Sequence, residues 1–247
     1  MKSKFLVLFL SLSLAAWAQT PPRMIRLSIN EVPGDQYAEF MSVQREFADV
    51  YHKAKPAIFR NTFQSLTGKP TFVIVLPLAN LAALDEPTWS SQQGTEAERT
   101  ARTNRLNRSG GARRSLVLTL QEAQSWDPTP NGPPEPFIMV AVYSVKPGKV
   151  IPFLSQIKVL GEAIKKQGKA ESFSVTRATF GGDAYAFHVV IGFKSLTDMA
   201  AGPAEMRATM GDAAYTDWVA KMGETVNSMD RDIYRYNART SYTPEAK

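Results

Sequence analysis

The chain has 247 residues, of which 44% are hydrophobic and 21% are charged, a balance typical of a globular protein. It contains no cysteine, which excludes disulfides, thiolate catalysis and cysteine metal sites. The formal net charge of +6 is a mild excess and includes two lysines of an N-terminal leader, so we expect no nucleic-acid partner.

The first 18 residues have the three parts of a secretory signal peptide. Lys2 and Lys4 precede the apolar run "FLVLFLSLSL", and Ala16 and Ala18 are small residues at the positions that a signal peptidase recognises. The apolar run is too short to span a hydrocarbon core of about 30 Å. We therefore expect cleavage after Ala18, a secreted or periplasmic location, and no integral membrane segment after cleavage.

A strand–helix–strand–strand order opens the remaining chain. "MIRLSIN", from Met24, alternates apolar and polar residues as a half-buried strand does, and Pro33-Gly34 ends it. An amphipathic helix is predicted to about Ala54. "IFRNTFQSL" and "TFVIVLPL" then predict a hairpin, an arginine-rich polar segment follows, and "RRSLVLTLQ" predicts a fourth strand.

The same order recurs in the second half of the chain. "WDPTPNGPPEPF" is rich in proline and predicts a stiff linker over 126–136. "PFIMVAVYSV" then predicts a strand that ends at Pro147-Gly148, and a helix, a hairpin, a helix and a strand follow. The sequence thus predicts a first module over 19–125 and a second module over 137–247.

Each module has the element order of a ferredoxin-like fold, an antiparallel sheet with helices on one face. Such a sheet leaves its other face uncovered, and two copies in one chain can bury those faces against each other. The predicted fold class is therefore α+β, with two ferredoxin-like repeats that form a pseudo-dimeric α/β barrel.

The two strand-to-helix junctions, "VPG" at Val32 and "VKPGKVIPF" at Val145, carry a family resemblance. They resemble those of the dimeric α/β-barrel superfamily, which includes the NIPSNAP, EthD-like and antibiotic-biosynthesis-monooxygenase families. This resemblance implies a central cavity between two sheets, often used for small apolar or aromatic ligands. It identifies a fold and implies no particular reaction.

His188 is the candidate catalytic residue. In "YAFHVVIGF", Phe187 and Val189 share a face suited to packing under helices, which places His188 on the opposite face, toward the proposed cavity. The imidazole could act as a general base, as a haem ligand or as a hydrogen-bonded residue of the cavity wall.

Six further residues are candidate ligand-binding groups, because they lie at alternating positions on predicted strands. An arginine, tyrosine and asparagine lining would suit a small apolar, phenolic or anionic ligand, whereas the alternative is polar pairing across strands. The candidates are Arg26, Asn30, Arg60, Arg177, Tyr234 and Tyr236.

The sequence has no spacing typical of a metal site, a nucleotide-binding loop or a nucleophile elbow, so we expect no metal and no cofactor. Haem-dependent members of the superfamily usually need a histidine on a late helix, and both late-helix segments lack one. Arginines recur every three residues from Arg99 to Arg108, which favours a solvated helix face or a contact for anionic surfaces.

Two functional hypotheses follow. The first is an exported small-molecule-binding protein, with cofactor-independent oxygenase or isomerase-like chemistry at His188 as its enzymatic form. The second is a non-catalytic envelope structural or interaction protein, whose barrel is filled by side chains. The oligomeric state is open, because fusing two modules removes the need for a dimer without forbidding one.

Overall fold

The computed structural model describes residues 23–128 and 133–244. The predicted signal peptide and the middle of the predicted linker lie outside these residues. The strands, in chain order, are β1 (Met24–Glu31), β2 (Asn61–Ser65), β3 (Thr71–Leu78), β4 (Ala112–Leu120), β5 (Phe137–Val145), β6 (Ala170–Phe180), β7 (Ala186–Phe193) and β8 (Val226–Tyr236). The α-helices are α1 (Tyr37–Ala54), α2 (Glu96–Ser109), α3 (Val150–Gln167), α4 (Leu196–Met210) and α5 (Asp212–Thr225).

The eight strands close into one antiparallel barrel. Their order around it is β1-β3-β2-β8-β5-β7-β6-β4. Each half of the chain thus contributes four neighbouring strands in the ferredoxin-like order, β4-β1-β3-β2 and β8-β5-β7-β6. This confirms the predicted α+β fold and the pseudo-dimeric barrel.

Two short seams join the halves. At one seam, Phe63–Ser65 of β2 pair with Tyr234–Tyr236 of β8. At the other, β4 pairs with β6 around Leu118 and Ala178, where the register shifts by a bulge. The sheets within each half are longer, with eight successive pairs between β1 and β3 and eight between β5 and β7.

The second half has a continuous apolar core between its sheet and its helices. Phe153 of α3 is fully buried and packs with ring centroids 5.3 Å from Tyr143 and 5.0 Å from Phe187. The other face of each of these strands points into the barrel, as strand alternation requires.

The helix side of the first half is more polar. Its apolar cluster is small, with Phe40 packed edge-on against Phe72 at 5.2 Å. Beside it lie the buried polar side chains of Asn30, Gln44 and Thr62. In this half, polar residues on a strand therefore do not imply a face directed into the barrel.

The predicted arginine stripe lies on α2 and holds the helix against its neighbours. Arg105 forms ion pairs with Glu39 and Glu46 of α1. Arg102 donates to the backbone oxygen of Gln93 at 2.6 Å and lies 5.5 Å from the centre of the Phe47 ring. These contacts favour a structural role for the stripe over a free anionic contact surface.

The helix α4 was not predicted from the sequence. It begins after Ser195, whose hydroxyl accepts a hydrogen bond from the backbone N–H of Asp198 at 3.1 Å. Across the residues that the structure describes, no helix is both long and apolar enough to cross a membrane.

Candidate ligand-binding site

A cavity of about 1050 Å³ lies within the barrel. It extends to one end of the barrel, where exposed residues such as Arg23, Pro87 and Glu122 line it. The described part of the predicted linker also contributes, because Pro133, Pro134 and Glu135 lie along the cavity.

The two halves of the chain supply different walls. The first half contributes mainly aliphatic and aromatic side chains, including Ile25, Leu27, Phe63, Val73 and Leu118. The second half contributes aliphatic residues of β5 together with a group of polar side chains, which are Ser172, Ser174, Thr176, His188 and Tyr234. A molecule inside the barrel would therefore meet one apolar wall and one hydrogen-bonding wall.

His188 lies in the hydrogen-bonding wall, on β7 between Val142 of β5 and Thr176 of β6. His188 is only 9% exposed to solvent. Burial, together with the positive charge of Arg114, lowers the pKa of His188 to about 4. The imidazole is consequently neutral at pH 7.

Tyr234 and Thr176 lie in the same wall. Burial, with a smaller effect of the Asp232 carboxylate, raises the pKa of the Tyr234 phenol to about 12. The Thr176 hydroxyl is buried and lacks a hydrogen-bond partner among the described residues. These groups can donate or accept hydrogen bonds, but none carries a charge at neutral pH.

Two residues that were not among the sequence candidates add polar atoms to the lining. The amide oxygen Oδ1 of Asn61 and the indole Nε1 of Trp126 are buried without a hydrogen-bond partner in the described part of the chain. Asn61 begins β2, and Trp126 forms a bridge to Phe173 of β6. Asn61 could have been found by alternation with Phe63, but nothing local marks Trp126.

Arg26 is among the lining residues, although strand alternation places it on the same face of β1 as Asn30. The face of β1 that turns into the barrel is the opposite one from that expected. Ile25, Leu27 and Ile29 of β1 line the cavity. Asn30 is buried on the other face, and its side-chain amide donates to the backbone oxygen of Phe72 at 3.2 Å. The apolar face of β1 turns into the barrel because the helix side of this half accommodates buried polar residues such as Asn30 and Gln44.

Arg60 does not line the cavity. Its guanidinium is buried beside α1, where it donates to the backbone oxygen of Thr240 and to the side-chain oxygen of Gln44. It lies 6.0 Å from the centre of the Phe47 ring. Burial lowers the pKa of Arg60 to about 10, while the nearby Tyr51 acts in the opposite direction.

Arg177 and Tyr236 are also absent from the lining. The side chain of Arg177 donates to the backbone oxygen of Ala184 at 3.0 Å, and its guanidinium lies 5.7 Å from the ring centre of Phe187, on the helix-facing side. Tyr236 packs against Phe63 with ring centroids 5.7 Å apart, beside the lining. Of the seven candidates, Arg26, His188 and Tyr234 line the cavity, whereas the other four do not.

Within residues 23–128 and 133–244, no group of three or more histidine, cysteine or acidic side chains could hold a metal ion. His188, Tyr234 and Thr176 of the lining offer hydrogen bonding and proton transfer by groups that are neutral at pH 7.

The dimeric α/β barrels have this architecture, in which two ferredoxin-like halves close into a barrel around a central cavity. Here a single chain forms both halves. Within this class, residues 138–239 match the family model of NIPSNAP. The match covers most of the second half of the chain.

Solved structures share the whole barrel. Two, from Fusobacterium nucleatum and Lactobacillus acidophilus, are each described as a "putative monooxygenase". The first has a TM-score of 0.63 at 11% identity and covers 88% of this chain and 94% of its own. The second has a TM-score of 0.60 at 10% identity, with coverages of 90% and 97%.

A third structure, of an anthrone oxidase-like protein, has a TM-score of 0.59 at 10% identity and covers 92% of this chain and 95% of its own. At these identities the similarity establishes the fold. A search of curated proteins found no match.

Proposed function

We propose that this chain binds a neutral, largely apolar small molecule in the barrel cavity. The observation that carries the proposal is a cavity of about 1050 Å³ that is lined mainly by apolar side chains, with His188 and Tyr234 uncharged in its wall at neutral pH. Pockets for drug-sized ligands measure about 300–1000 Å³, so the volume suits a polycyclic or long-chain molecule.

The placement of two of the three candidate arginines favours a neutral ligand over an anionic one. Arg60 and Arg177 are engaged on the helix side of the sheets, away from the cavity. Arg26 is among the lining residues, but strand alternation places it on the face of β1 opposite the lining residues Ile25 and Leu27. Inside the cavity, His188 and Tyr234 can orient a hydroxyl or carbonyl group but cannot neutralise a carboxylate. An interaction protein with a filled barrel, the second hypothesis, would need no such cavity.

Fluorescence titration with three pyrene probes tests the proposal. We expect pyrene and 1-pyrenemethanol to bind, and the anionic 1-pyrenebutyrate to bind more weakly, because the apolar wall cannot solvate its charge. Ser174→Trp should abolish binding by filling the cavity, whereas Ser155→Trp on the exposed face of α3 should not. Equal pyrene binding by both variants would contradict the proposal.

A cofactor-independent oxygenase or isomerase is the second candidate function. It is favoured by the buried neutral imidazole of His188, which lines a largely apolar cavity. Such a group can accept a proton from a carbon next to a carbonyl group. An isomerase returns this proton to another carbon, whereas in an oxygenase dioxygen oxidises the resulting carbanion.

Anthrone is a suitable test substrate, because it is a neutral aromatic ketone with an acidic methylene group. Its oxidation consumes one dioxygen and yields anthraquinone and water. We expect this conversion to be lost in His188→Ala and retained in Arg177→Ala, which alters a residue outside the cavity lining. Because the pKa of His188 is about 4, the rate should be constant near neutral pH and fall below about pH 4. Full activity of His188→Ala would remove His188 from the mechanism.

We also propose that the protein is exported through its N-terminal 18 residues, on the sequence pattern described above. Fractionation of cells that make the full chain should recover the protein outside the cytoplasm, with Gln19 as its first residue. An intact Met1 terminus on the mature protein would refute this proposal.

A further inference from the structure

Three exposed apolar side chains lie at the open end of the cavity, and we refer to them as the apolar rim. They are Ile58, in the connection between α1 and β2, and Leu81 and Leu84, in a short 3-10 turn that follows β3. Their exposed fractions are 36%, 41% and 39%. The turn is held by Asn80, whose side-chain oxygen accepts from the backbone N–H of Ala83 at 3.1 Å.

The apolar rim is continuous with the cavity wall. Ile58 belongs to both surfaces, since it is exposed and also lines the cavity. Ala83, between the two leucines, and Pro87 line the cavity too. Trp89 follows, with its ring centre 4.8 Å from that of Tyr51, another lining residue. An apolar path thus runs from solvent into the barrel.

Charge around the rim indicates what kind of surface can cover it. Arg23 and Glu122 line the same end of the cavity, and Asp85 and Glu86 follow Leu84 directly. Acidic groups outnumber basic ones among these four, which favours a surface without net negative charge over an anionic one. Other exposed apolar residues, such as Val159 and Val219, lie on helices α3 and α5 and do not line the cavity.

We infer that the apolar rim docks transiently on a lipid bilayer, from which an apolar ligand enters the cavity. This inference rests on the proposed function, because a neutral, apolar ligand partitions into membranes and must cross their surface to reach the barrel. Docking buries the rim side chains in the interfacial region, and the continuous apolar path spares the ligand an aqueous step. Three partly exposed side chains suit reversible contact and are too few for a stable anchor.

Two measurements with phosphatidylcholine vesicles test the inference. In flotation, which needs no ligand, a fraction of the wild-type protein should rise with the vesicles. In stopped-flow transfer of pyrene from loaded vesicles to protein, the rate should increase with vesicle concentration, as collision requires. Adding phosphatidylglycerol should lower both signals, because acidic groups outnumber basic ones beside the rim.

The double variant Leu81→Gln/Leu84→Gln should lower flotation and the transfer rate about tenfold, since it removes most of the apolar area of the rim. Its affinity for pyrene at equilibrium should be unchanged, because neither leucine lines the cavity. The matched variant Val159→Gln/Val219→Gln should behave as wild type.

Failure of the two proposals gives different results. If wild type and the rim variant float and transfer alike, the docking inference is wrong even where pyrene binds tightly. If pyrene does not bind at equilibrium, the proposed function fails, and flotation alone then decides whether the rim contacts lipid. A concentration-dependent dimer that the rim variant loses, seen by light scattering without flotation, would overturn lipid docking in favour of self-association.

Discussion

Replacing Thr176 by valine should make the ligand-free protein more stable. Thr176 is 5% exposed, and its hydroxyl has no hydrogen-bond partner among the described residues. It lies within β6, between His188 of β7 and Leu120 of β4. Valine has nearly the same shape and a high preference for strands, so the substitution removes an unpaired polar group without leaving a large cavity.

The expected gain follows from the cost of burying that hydroxyl. Mutational data place the cost of an unpaired buried hydroxyl at about 1–3 kcal/mol. The free energy of unfolding of Thr176→Val should therefore rise by about 1–2 kcal/mol, allowing for some relaxation of the wild-type site. In a chain of this size each kcal/mol raises the Tm by about 2–4 °C.

Urea denaturation followed by circular dichroism measures the change, with an unchanged slope as the sign that only stability has shifted. Thr62→Val is the matched control, because Thr62 is also fully buried on a strand. Its hydroxyl lies 2.7 Å from the Thr240 hydroxyl and 2.8 Å from that of Ser241. This control should lose about 1–3 kcal/mol, since it leaves buried partners unsatisfied.

A loss of stability in Thr176→Val, similar to that of the control, would refute the reasoning. It would mean that the Thr176 hydroxyl is satisfied in solution.

Three further predictions concern the core, a turn and the pH dependence of stability. Phe153→Ala should lower the free energy of unfolding by about 3–5 kcal/mol in urea titration, because it empties the space between Tyr143 and Phe187; a loss below 1 kcal/mol would contradict this packing. Gly181→Ala should cost more than 1 kcal/mol, because Gly181 has φ +78° and an added Cβ would lie 2.3 Å from a backbone oxygen of β4; an unchanged Tm would show that the turn can relax. In the folded protein the pKa of His188 is about 4, below its ordinary value of 6.5. The stability that the neutral imidazole contributes is therefore complete above pH 6.5, and about 2–3 kcal/mol of it is lost as the pH falls toward 4. In urea titrations between these pH values the stability of His188→Gln should decline less steeply than that of the wild type, and a parallel decline would exclude the imidazole as its cause.

The repeated order of elements could be predicted from the sequence because the first strand of each half is followed by the same Pro-Gly pair. Pro33-Gly34 and Pro147-Gly148 end β1 and β5, and both breaks precede an amphipathic helix. Helix α4 was missed because its apolar residues form no clear stripe. Among the side chains of this helix that the structure describes, only those of Met199 and Met206 are buried, and Gly202 interrupts the segment. The Ser195 cap was the available signal.

The residues of the cavity wall were predicted unevenly, for a physical reason. Alternation identifies the two faces of a strand, but the composition of the neighbouring layers decides which face turns inward. On β7 the helix side is apolar, so the polar position, His188, was correctly placed on the opposite face. On β1 the helix side holds Asn30, so the apolar residues face the cavity. A single strand carries no information about this difference.

The difference between the two walls has a consequence for the orientation of a molecule bound in the barrel. His188 pairs with Val142, three residues before the junction residue Val145, and the corresponding pair in the first half is Val73 with Ile29, three residues before Val32. A barrel built from two identical chains would present two equivalent histidines related by a two-fold axis, and a ligand could bind in either of two equal orientations. In the fused chain the axis is broken at the position of Val73, so a ligand that binds as we propose should have a single orientation of lowest free energy.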